Sequence, residues 1–145
     1  MAYCTQTDIT ARIPTLNLAQ LTNDTANATT VDSTVLAALI AAADAEIDVI
    51  LCDRFTVPFA STPARVRDIS VTITIYHAMA RRFGVMDVPQ GWADAYKAAK
   101  EELAAFAAGE QTLPGVTPGT VDDVAVTAPV RQVDFDDADN PMSYF

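Results

Sequence analysis

The stretch from Ser33 to Cys52 constrains this chain most. Val35, Leu39, Ala43, Ile47 and Ile50 recur at three- and four-residue steps, and Leu36, Ile40 and Leu51 widen the stripe. Asp32 or Ser33 supplies an N-cap. A helix with one apolar face must bury it against another element. Many of its hydrophobic residues are Ala, which predicts thin, close helix contacts rather than a bulky centre. The opposite face carries Asp44, Glu46 and Asp48. Asp44 and Asp48 are like charges one turn apart, which costs a few tenths of a kcal/mol in an isolated helix. Two readings of that face stay open: a solvated acidic surface, or one offset by Arg65, Arg67 or a neighbouring subunit.

The flanking segments add four shorter statements. Thr5-Gln6-Thr7-Asp8 has the form of a capping box with an acid in the third helical position, opening a short helix that ends near Ile13-Pro14. Leu16, Leu18 and Leu21 mark a second short helical turn, followed by a polar loop over residues 22–30. Residues 63–83 are ambiguous: Ile69, Val71, Ile73 and Ile75 alternate like a strand, while Val66, Ile69, Ile73, Tyr76, Ala80 and Phe83 fit a helical stripe. A cap at Ser61 or Thr62, Pro63 in the first turn and a stop at Gly84 favour the helix. A last helix after Pro89 carries Trp92, Tyr96, Ala99, Leu103 and Phe106 on its apolar face and ends at Gly109.

Beyond Gly109 the composition changes. Residues 1–109 hold twelve acids and eight bases, whereas 110–145 hold seven acids and one base, so the arm carries −6 of the total −10. Pro114, Gly115, Pro118 and Gly119 read as a linker, and Val121, Val124, Val126, Val130, Val133 and Phe135 can form short strands only against something else. The fold class is therefore mainly α: a small helical bundle over residues 1–109 with an extended, acidic C-terminal arm over 110–145. A net negative chain is unsuited to coating DNA or anionic membranes, which attract Lys and Arg. The N-terminus lacks the basic and apolar pattern of a signal peptide, and no apolar run is long enough to span a bilayer.

The sequence offers little chemistry. His77 is the sole histidine, and pairing it with Cys4 or Cys52 leaves the third member and the oxyanion site unassigned. It reads as a core or interface residue, and Cys52 as a buried small hydrophobe. No zinc spacing or phosphate-binding glycine loop is present. Asp134 to Asn140 lacks the glycine and glutamate of a calcium loop, so no metal or cofactor is expected. The chain is not expected to be an enzyme. Met142, Tyr144 and Phe145 close the sequence either as a free end or as an anchor on a partner.

Residues 3–13, "YCTQTDITARI", are similar to the opening of the Mu-like phage neck family. Residues 35–59, "VLAALIAAADAEIDVILCDRFTVPF", resemble its helix leading into an Arg-aromatic-x-x-Pro turn. "TPARVRDISVTITIYHAMARR" and "YKAAKEELAAFAAGEQTL" resemble its next and final helices, so the likeness covers residues 3–113. The aliphatic helix is unusually rich in Thr, and the arm is acidic where the family's end is basic and aromatic. The resemblance implies a head–tail connector (adaptor, or head-completion protein) in the virion neck, assembled in the host cytoplasm. It further implies a homo-oligomeric ring, commonly a dodecamer, between the portal protein and the next neck or tail-completion protein, with DNA passing through the lumen unbound. By chemistry, partner contacts are expected at Arg54, Phe55, Pro58, Phe59, Arg65 and Arg67, and in the arm at Val133, Phe135, Tyr144 and Phe145. The alternative, on the same composition, is a small acidic regulatory module that binds a host protein.

Overall fold

A computed structural model describes residues 1–119. The arm positions Val133, Phe135, Tyr144 and Phe145, the strands expected beyond Val121 and the acidic run from Asp134 lie outside the described residues. The described part is mainly helical and contains no strand. Its helices are α1 (Gln6–Thr10), α2 (Thr15–Thr22), α3 (Ser33–Leu51), α4 (Ala64–Phe83) and α5 (Gln90–Ala108), with a 3-10 turn at Val85–Asp87.

Local chemistry accounts for most helix ends. The Thr5 side chain accepts from the Asp8 N–H while the Asp8 carboxylate accepts from the Thr5 N–H, which satisfies two otherwise orphaned donors. Asp32 caps α3 by accepting from the N–H groups of Thr34 and Val35. Gly84 and Gly109 take positive φ at the ends of α4 and α5. One expectation fails: neither Ser61 nor Thr62 caps α4. Pro63 itself is the N-cap and no side chain bonds there, because its fixed φ already sets the chain's entry into the helix.

Helix α4 is the centre of the bundle, and this explains its ambiguous pattern. Ile69 and Ile73 belong to a core cluster with Ala43, Ile47, Leu51, Leu103 and Phe106. Val71 and Ile75 belong to a second cluster with Ile9, Leu18, Leu36 and Ile40. Residues two apart on a helix point to nearly opposite sides, so what alternates like a strand is two helical stripes, each with a step of four. A helix covered on both sides must also bury its polar residues. Thr72 and Thr74 manage this by donating to the carbonyls of Asp68 and Ser70 at 3.1 and 2.8 Å. The Thr content that sets this helix apart thereby adds no unsatisfied groups.

Several residues depart from their expected places. Phe83 does not continue the buried stripe; it is 52 % exposed, because α4 outruns the elements that cover it. Cys52 is exposed at the C-cap of α3, whereas Cys4 is the buried thiol, and both are free. In α3 the fully buried line is Leu36, Ile40, Ala43, Ile47 and Leu51, with Val35, Leu39 and Ile50 on its shoulder.

Candidate functional site: two poles of the bundle

The acidic face of α3 is only partly solvated, and neither Arg65 nor Arg67 pairs with it. The N-terminal segment lies across it instead. The Tyr3 N–H donates to Asp44 at 3.1 Å and the Tyr3 hydroxyl donates to Asp48. That hydroxyl also accepts from the Phe59 N–H, and Ser70 donates to Asp44 at 3.0 Å. Partial burial raises the Asp44 carboxyl above its usual range, and burial together with the Asp48 hydrogen bond pushes the Tyr3 phenol well above 10.0. The third acid, Glu46, meets the other two helices. Its oxygens lie 3.0 Å from His77 Nε2, 3.5 Å from Lys100 Nζ and 3.3 Å from the Tyr96 hydroxyl that donates to it. The Tyr96 ring stacks on Tyr76 at 4.0 Å, so His77 is part of a structural junction between α3, α4 and α5.

Tyr3 therefore supplies a pH signature. Because its folded pKa lies above the unfolded value, the stability it contributes is complete below pH 10.0 and declines as pH rises toward the folded value. The variant Tyr3→Phe is expected to lose about 1.5–3 kcal/mol at neutral pH, the range for a hydrogen bond to a charged group. That deficit should shrink above pH 10.0 by up to about 1.4 kcal/mol per pH unit. Urea titrations at pH 7, 10 and 11 check this; a deficit that stays constant across the series would contradict it.

The six expected contact residues of the body gather at one pole, where α3 ends, α4 begins and α5 ends. Phe55 and Phe59 are buried there, 4 % and 5 % exposed, and pack against Tyr3 and one another. They shape the turn from within. Pro58 is exposed. Arg65 forms a forked pair with Glu102 that ties α4 to α5, its Nε donating at 2.6 Å. Arg67 is exposed and faces α1, where it reinforces the lowered pKa that Thr5 hydrogen bonding gives Asp8.

Arg54 links this pole to the base of the arm. Its guanidinium lies against Gly109 at the C-terminal end of α5, where a positive charge meets the negative end of the helix dipole. Its carbonyl accepts from the Gly119 N–H at 3.0 Å. Between those contacts Leu113 enters the core at 3 % exposed, with Val57 and Val116 packed beside it. The arm thus leaves from the turn that carries Arg54. Sequence reasoning missed Leu113 because it follows the last helix and shares no helical period with it.

Gly109 is the hinge point of this arrangement. At φ +79° any other residue is strained, and a Cβ would fall 2.3 Å from Arg54 Nη1. Gly109→Ala is expected to lower stability by about 1–2 kcal/mol through backbone strain and the displaced guanidinium. A chemical denaturation midpoint equal to that of the unsubstituted chain would contradict this.

The opposite pole, where α4 ends and α5 begins, is apolar. Phe83, Val85 and Met86 are 52 %, 66 % and 95 % exposed there. A cleft of about 500 Å³ lies beside Phe83, between α2, the 23–27 loop and the last turn of α4. Arg81 holds Asp24 through two hydrogen bonds of 2.9 and 3.1 Å, while Arg82 stands 3.8 Å from the same carboxylate. The signal was present in the sequence as Phe83-Gly84-Val85-Met86, an apolar run across a helix stop, where a helix-stripe reading treats the last residue as core.

Among the described residues no cluster of His, Cys, Asp and Glu could hold a metal ion, and no helix is long and apolar enough to cross a membrane. The family model described as Bacteriophage Mu, Gp36 matches residues 3–131. No curated protein matches the chain.

Proposed function

We propose, from the premise that the chain belongs to the bacteriophage Mu Gp36 family, that it is a structural head–tail connector, an adaptor ring between the portal and the next neck or tail-completion protein. The observation that carries the proposal furthest is the anchored arm. A rigid helical body holds the base of an acidic segment through Leu113 and the Gly119–Arg54 hydrogen bond. Residues 120–145 follow that anchor and contain six Asp, one Arg and several apolar and aromatic side chains. A segment tethered to a folded body contributes binding through high effective concentration once several copies are arrayed. The net charge of −10 suits a wall past which DNA slides without being gripped. Glu46 reaches His77, Lys100 and Tyr96 on the two neighbouring helices, which supports a structural reading of this cluster.

The genetic test is a phage in which synthesis of this chain is blocked. DNA-filled heads and finished tails should accumulate separately and should join when the purified chain is added back. Normal joined particles in its absence would overturn the connector reading and favour a regulatory role on a host protein.

A further inference from the structure

Resting on the assembly reading above, we propose that the cleft at the apolar pole receives the acidic-aromatic segment 134–145 of a neighbouring copy. The two poles lie at opposite ends of α4, whose 20 residues span about 30 Å at 1.5 Å per residue. An element launched from one pole and received at the other makes a heterologous contact. Contacts of that kind close into rings or run on as filaments, unlike the self-complementary contact of a two-fold dimer.

The cleft is matched to such a segment in three ways. Asn17, Gln20 and Asn27 offer side-chain amides that can pair with the N–H and C=O groups of an extended peptide. Met79 and Phe83 give an apolar wall of a size that suits Tyr144 or Phe145. Arg82 lines the same cleft and stands 3.8 Å from Asp24, so among the described residues two arginines share one carboxylate. The segment supplies the complement: Asp134, Asp136, Asp137 and Asp139, followed by Met142, Tyr144 and Phe145. Length also suffices. From Gly119 to Tyr144 the chain can reach on the order of 80 Å at about 3.3 Å per residue. The body, with a radius of gyration of about 13 Å, is only about 35 Å across.

The test uses the full chain with a photoreactive benzoyl-phenylalanine in place of Tyr144, mixed one to one with isotopically heavy unsubstituted copies. After irradiation, peptide mass spectrometry should find crosslinks into residues 79–86 that join light to heavy copies. Arg82→Glu should reduce their yield at least fivefold, and raised salt should do the same. Crosslinks confined to one copy, crosslinks to another surface, or no crosslinks at all would each overturn the proposal. Native mass measured on the same samples separates the two claims: oligomers without this crosslink would sink the cleft and leave the connector reading standing.

Discussion

A chain cut after Gly119 is expected to stay folded yet leave heads and tails unjoined. A chain cut after Gly109 should instead lose stability outright. The difference is ten residues, and Leu113 decides it. Its side chain is 3 % exposed within the cluster built by Leu51, Ile69, Leu103 and Phe106. Removing it uncovers that cluster at one pole, and burial of a Leu side chain is worth about 1.5–3 kcal/mol. Val116, the Gly119–Arg54 hydrogen bond and the cover over Arg54 go with it. Thermal melts should therefore place the 1–119 chain within a few degrees of the full protein and the 1–109 chain well below it. Complementation of a phage lacking the protein reads the functional half: neither truncation should restore joined particles. If the 1–119 chain completes virions, the arm is not the assembling element.

The second large effect concerns the centre of the bundle. Ile73→Ala and Ile75→Ala are each expected to cost about 2–5 kcal/mol, the range for emptying a well-packed aliphatic site. Both side chains are fully buried, yet they belong to different clusters on opposite sides of α4. A helix lying on the surface could not bury both, since residues two apart diverge by roughly 200°. Val49→Ala on the 74 % exposed face of α3 serves as the control and should change stability by less than about 0.5 kcal/mol. Urea denaturation of the three variants decides the matter. A small loss at either Ile73 or Ile75 would move α4 out of the centre.

Much of this architecture was legible in the sequence, for a physical reason. Caps and stops are local: Thr5 with Asp8, Asp32, Gly84 and Gly109 act within a few residues of themselves, so their spacing alone reveals them. The helical nature of residues 64–83 was legible too, but its central position was not, because two stripes of step four overlay into a pattern of step two. The roles of Asp44 and Asp48 were hidden because their partner, Tyr3, lies more than forty residues away, and a carboxylate bound by a distant phenol looks like any solvated one. Phe55 and Phe59 fill the turn from inside and leave Pro58 outside, an orientation that residue type alone does not fix. The apolar pole is not legible in the helical pattern, because periodicity cannot say where the covering helices end.

On the connector reading, copies of this chain form a ring at the head–tail joint. Electron microscopy of joined particles from the encoding phage, averaged with a mask over the neck, tests it most directly. The expected result is a ring of helical density beneath the portal into which residues 1–119 fit as one body, with α4 at the centre of each subunit. Neck density fully accounted for by other proteins, with no place for this body, would contradict it.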